Sequence, residues 1–109
     1  DEIIKLTKDE SQVVFNQLKI KIKKSSDILL QPDGIDGIRI LVEHHKALEN
    51  SLLNFIESFP ANNVGVWICA GWDNSITTEE GKERLRNYIE KLKTNGTKLT
   101  KTAAETALK

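Results

Sequence analysis

Ile38, Leu41, His45, Leu48, Leu52, Phe55 and Phe59 recur at alternating steps of three and four residues, which draws one mostly apolar stripe down a helix. The spacing predicts a helix that starts at Asp36, a candidate N-cap, and runs to Phe59. Pro60 stops it, because proline lacks an amide and disfavours helical geometry in the residue before it. Upstream, Thr7-Lys8-Asp9-Glu10 has the capping-box pattern and predicts a helix from about Lys8, with Val14, Phe15, Leu18 and Ile22 on its inner side. Between the two, Gln31-Pro32-Asp33-Gly34 has the residue types of a turn.

Two stretches fit more than one element. Residues 18–23 alternate apolar and lysine, the mark of a half-buried strand, although the helical stripe also passes through them. Val64 to Trp72 is apolar without a break and fits a buried strand or a short buried helix equally. The expected fold is therefore mainly α, a small helical bundle with a buried apolar segment 64–72. The alternative is α+β, with a small sheet from 18–23, 38–42 and 64–70. If Ile28-Leu29-Leu30 and Ile38 to Val42 are strands, the 31–34 turn closes a hairpin between them and the long helix shrinks to Glu43 through Phe59.

Further on, Thr77 and Glu80 form a second capping-box pattern, and Leu85, Tyr88, Ile89 and Leu92 supply the inner stripe of the helix it opens. Asn95-Gly96 reads as a left-handed stop. The tail from Thr97 has few large apolar groups, so it is expected to form a last turn or two of helix or to fray.

Composition narrows the picture. At 109 residues the chain suits a single domain, and 39% hydrophobic with 29% charged residues places it outside the disordered class. Sixteen basic and sixteen acidic residues cancel, so no protein-wide field favours nucleic acid or an anionic membrane. Lys19, Lys21, Lys23 and Lys24 cluster locally, but without an arginine or an aromatic platform they read as a solvated face. The lone Cys69 has no internal disulfide partner, and no apolar run is long enough to span a bilayer. The chain begins at Asp1 and contains no methionine, which fits either a processed exported chain or a trimmed cytoplasmic one and leaves the compartment open.

Candidate chemistry is sparse. His45 and Glu49 stand at i and i+4, with Glu43 and His44 beside them, but two ligands fall short of the three or four that zinc takes. No metal and no cofactor is expected. A histidine in the stripe offers pH-sensitive packing, against the plainer reading of a hydrated residue at the helix border. Cys69 with His44 or His45 has the residue types of a thiol enzyme, yet an apolar surrounding disfavours the thiolate and points to an inert core thiol. Trp67 and Trp72 flank small residues, a combination that lines a ligand slot or anchors an interface, and Trp72 beside Asp73 is expected to be the more exposed of the two. Asn95-Gly96-Thr97 matches the glycosylation pattern but is already accounted for as a helix stop.

The resulting expectation is a non-catalytic module that binds a protein partner, or a second copy of itself, through an apolar helix face and the Trp72 rim. Trp72, Asp73, Trp67 and His45 are its candidate binding residues. A small-molecule binding domain built on Trp67 and Trp72 is the alternative, with the thiol enzyme behind it.

Overall fold

The first amides of a helix have no partner within it, and three threonines answer them here. At the first, the Glu10 amide donates to Thr7 Oγ1 at 3.1 Å while the Thr7 amide donates to the Glu10 carboxylate at 2.9 Å, the full capping box predicted. It opens α1, Lys8–Lys24. Thr78 opens α4, Glu79–Asn95, by accepting from the Gly81 amide at 3.0 Å. Thr97 opens α5, Lys98–Ala107, by accepting from the Thr100 amide at 3.3 Å. Between them lie α2, Gln31–His44, and α3, Glu49–Glu57, with single 3₁₀ turns at Lys46–Leu48 and Val66–Cys69. The computed structural model describes residues 5–24, 31–60 and 66–108, except the side chains of 23, 24, 31–34, 66 and 67.

The architecture is all-α, and the described residues contain no strand. Residues 18–23 lie inside α1 and 38–42 inside α2, which removes the sheet alternative. In α1 the helical reading of 18–23 holds: Ile20 faces outward at 53% exposure while Ile22 packs inward, where a strand would have put both on one face.

Four features of the element ends differ from the sequence expectation. Gln31-Pro32-Asp33-Gly34 is the first turn of α2 and not a connecting turn, so Asp36 lies within the helix and does not cap it. Proline is tolerated there, since its missing amide would have had no helical partner in the first turn. The long helix from Asp36 to Phe59 is two helices broken at His45, whose backbone adopts φ −132° and ψ 76°. The predicted left-handed stop at Gly96 is absent, its φ being −75°; glycine is needed there because a Cβ would sit 2.6 Å from the Leu92 carbonyl oxygen. The helix start predicted at Thr78 lies one residue later, at Glu79.

The apolar stripe itself survives the break. Ile38, Leu41, Leu48, Leu52, Phe55 and Phe59 are all buried, and His45 is partly so. Phe15 of α1 meets Phe55 edge-on at 6.4 Å between ring centroids, and Phe55 meets Phe59 at 5.1 Å. From the apolar segment 64–72, Ile68, Cys69 and Trp72 are buried beneath the helices, whereas Ala70 and Gly71 reach the surface. Residues 64 and 65 of that segment lie outside the described residues, as do Ile28, Leu29 and Leu30.

Candidate functional site

The helix break places Glu49 at the start of α3, pointing into the structure with only 7% of its surface exposed. Its carboxylate accepts from the Thr77 amide at 2.7 Å, from the Thr78 amide at 3.4 Å and from the Thr77 and Thr78 hydroxyls. Local capping boxes draw this carboxylate from the third residue of the same helix. In α4 that third residue is Gly81, and a carboxylate from a different helix takes the role. Burial pushes the Glu49 pKa up, but these four hydrogen bonds outweigh it and hold the group below the ordinary carboxylate value. The joint is fastened nearby by Lys46 Nζ, which donates to the Asn74 carbonyl, and by Arg84, which donates to Glu57 Oε2 at 3.2 Å, to Asn50 at 2.7 Å and to Asn54 at 2.9 Å.

The same arrangement engages one member of the candidate pair His45 and Glu49. His44 ends α2 and is exposed, His45 sits at the break, and the Glu49 carboxylate is committed to α4. Among the described residues no three His, Cys, Asp or Glu side chains gather around one position.

Trp72 is not the exposed rim expected. Only 2% of it is exposed, its indole N–H donates to the Ile68 carbonyl at 2.9 Å, and the Arg39 guanidinium lies over its ring at 4.7 Å. Arg39 also donates to Asp36 at 3.0 Å and to the Ala70 carbonyl at 2.6 Å. The loop passes under the guanidinium at Gly71, where φ is +91° and a Cβ would come within 2.8 Å of Arg39 Cζ. Buried Ser75 completes the loop by donating to the Arg39 carbonyl at 2.8 Å. Asp73 is exposed at the edge of this loop, and the Trp67 side chain lies outside the described residues.

Cys69 is buried, and burial pushes its thiol pKa up, the wrong direction for a nucleophile at neutral pH. Tyr88, whose hydroxyl donates to the Phe59 carbonyl at 2.8 Å, is pushed up to about 12 by burial and by the neighbouring Cys69.

Of the surface grooves among the described residues, two border the apolar positions at issue. One, of about 490 Å³, lies between α1 and α3, where Phe15 and Phe55 form its floor and Gln12, Lys19, Ile20, Asn54 and Ser58 its banks. The other, of about 580 Å³, lies between the 69–76 loop, α4 and the end of α5, and contains Trp72, Asp73, Lys82, Leu85, Arg86, Ile89 and Leu108. Sequence reasoning named Trp72 and Asp73 but missed Arg39, Lys82 and Arg86. The available signal was the α4 spacing, which puts Lys82 and Arg86 on the same face as Leu85 and Ile89.

Compared with known proteins, the chain matches no family model, no curated protein and no solved structure.

Proposed function

We propose that the chain is a non-catalytic interaction module that binds a protein partner, or a second copy of itself, through the outward face of α1. The observation that carries this reading is a second apolar stripe on that helix. Phe15 and Ile22 face the core, whereas Val13 and Ile20, seven residues apart, fall on the opposite side at 55% and 53% exposure. At helical rise they stand about 10 Å apart along the axis, the distance spanned by two anchors of a docked helix. Ile20 also borders the groove over Phe15 and Phe55, so the apolar surface continues from the helix face into a concavity.

Among the described residues no assembled chemistry competes with this role. Cys69 is held as a thiol, His44 and His45 stand apart from a completed ligand set, and Glu49 is spent on α4. Trp72 supports the reading indirectly, by holding the 69–76 loop in shape, and no longer as a contact residue.

The test compares the wild-type chain with a Val13→Ser, Ile20→Ser double variant. Both positions are exposed, so the variant is expected to keep the wild-type melting temperature. Sedimentation across a concentration series and quantitative capture from an extract of the source cells are then read for both proteins. The expected result is an association, with itself or with a specific protein, that the wild type makes and the variant loses. Two monomers that retain the same set of captured proteins would contradict the proposal.

A further inference from the structure

The groove beside the 69–76 loop is separate from the α1 face and differs from it in chemistry. Its accessible apolar lining is half-buried Leu85 and Leu108 with exposed Ala70 and Ala107, while Trp72, Ile76 and Ile89 are all but buried, and its volume of about 580 Å³ falls within the ~300–1,000 Å³ of small-molecule sites. One bank carries two cations one turn apart on α4, Lys82 and Arg86; the other carries Asp73. Lys82 has a loose, exposed ion pair to Glu79 at 3.7 Å, outside the groove lining. Arg86 has no hydrogen-bond or ion-pair partner among the described residues. An unengaged guanidinium at the mouth of an apolar trough presents two parallel N–H donors, the geometry that a carboxylate fills with both oxygens.

We infer that this groove binds a small amphipathic monocarboxylate, with its apolar body over Leu85, Ala107 and Leu108 and its carboxylate on Arg86, assisted by Lys82. With Lys82 loosely paired to Glu79, the unengaged Arg86 is the group that favours an anion here. An apolar floor rules in a ligand with a hydrocarbon or aryl body over a bare inorganic anion. The fixed shape of the loop, held by Gly71 under Arg39 and by Ser75, means that the floor is formed before any ligand arrives.

Amide resonances of the full 109-residue chain titrated with sodium octanoate give the test, with octanol, octylamine and acetate as comparison ligands. The expected result is saturable movement at Gly71, Leu85 and Arg86, with octanoate binding at least about tenfold tighter than any comparison ligand, the worth of one good charge-assisted contact. Arg86→Gln is expected to weaken octanoate about tenfold and Arg86→Lys less, because a point charge replaces the bidentate fork. Lys82→Gln, expected to weaken binding by a smaller factor, serves as the second variant; Arg86 and Lys82 are both exposed, and the ligand-free spectra report whether the fold is kept. Octanol binding as tightly as octanoate, an unchanged affinity in Arg86→Gln, or movement confined to α1 and α3 would each overturn the inference. An acetylated peptide ending in a free leucine carboxylate that bound tenfold tighter than octanoate would also overturn it, by making the site a docking point for a chain terminus. None of these outcomes bears on the α1 proposal, whose variants lie on another helix.

Discussion

Gly81 shows how a residue's effect depends on what stands next to it. Glycine in a helix normally costs about 1 kcal/mol relative to alanine, so Gly81→Ala would ordinarily stabilise α4. Here a Cβ would sit 2.7 Å from Glu49 Oε2 and 2.8 Å from Thr78 Oγ1, displacing the carboxylate from the cap it makes. Gly81→Ala is therefore expected to destabilise the chain, by about 1–2 kcal/mol on the scale of a lost cap, in urea unfolding. A gain in stability would show that Glu49 moves aside freely. Gly71→Ala is expected to cost about 1–2 kcal/mol as well, for a different reason: φ of +91° is unfavourable for any residue with a Cβ, and the methyl group would push Arg39 off the Trp72 ring. A changed tryptophan emission in that variant, alongside the stability loss, is the confirming signature.

At the scale of elements, the joint between α3 and α4 rests on Glu49. Glu49→Ala leaves two amides and two hydroxyls without their acceptor and is expected to cost about 1–3 kcal/mol. The pH dependence follows from the direction of the shift. The folded state holds the carboxyl below its unfolded pKa, so its contribution is fully present above the unfolded value and is lost as pH falls through the folded one. Urea midpoints of the wild type are expected to drop below about pH 4.5 more steeply than those of Glu49→Gln. Equal slopes would place the acid sensitivity elsewhere.

The same joint explains what could be read from the chain and what could not. Thr7 and Glu10 lie three residues apart, so their reciprocal cap was legible, as were the buried stripes of α1 and α4. The burial of the 38–59 stripe was legible too, because spacing alone fixes it. The break at His45 was not: no proline or glycine interrupts the sequence there, and the contacts that go with it, Glu49 to Thr77 and Thr78 and Lys46 to Asn74, join residues nearly thirty positions apart. The one-residue shift of the α4 start has the same origin, since a carboxylate from α3 caps that helix and not Glu80. For α5, small residues concealed a helix that closes tightly, with Thr100 and Ala104 buried against the rest. Of the candidate binding residues, Asp73 is exposed as its turn-like surroundings implied, while the Trp72 ring is sealed by an arginine from α2 that no local pattern connects to it.

At the scale of the whole molecule, the Cα radius of gyration of 13.6 Å is close to the ~13 Å of a compact chain of this length. No described helix is long and apolar enough to cross a membrane. With equal numbers of acidic and basic residues, net charge gives the chain no long-range pull toward a charged partner, so both proposals rest on local surfaces. The α1 face and the α4 groove are two such surfaces, one apolar and one mixed, and each proposal can fail alone. Tyr88→Phe, which removes a donor from the buried Phe59 carbonyl, is expected to lower stability by about 1 kcal/mol while leaving both surfaces unaltered. That separates a general loss of fold from a specific loss of binding.

The most direct test of the central claim is a residue-resolved map of association by NMR, recorded on the labelled chain as its concentration is raised and as any specifically captured partner is added. The methyl groups of Val13 and Ile20 and the amides around Gln17 are expected to move first and furthest. Movement centred on Lys82, Leu85 and Arg86, with Val13 and Ile20 unchanged, would contradict the claim.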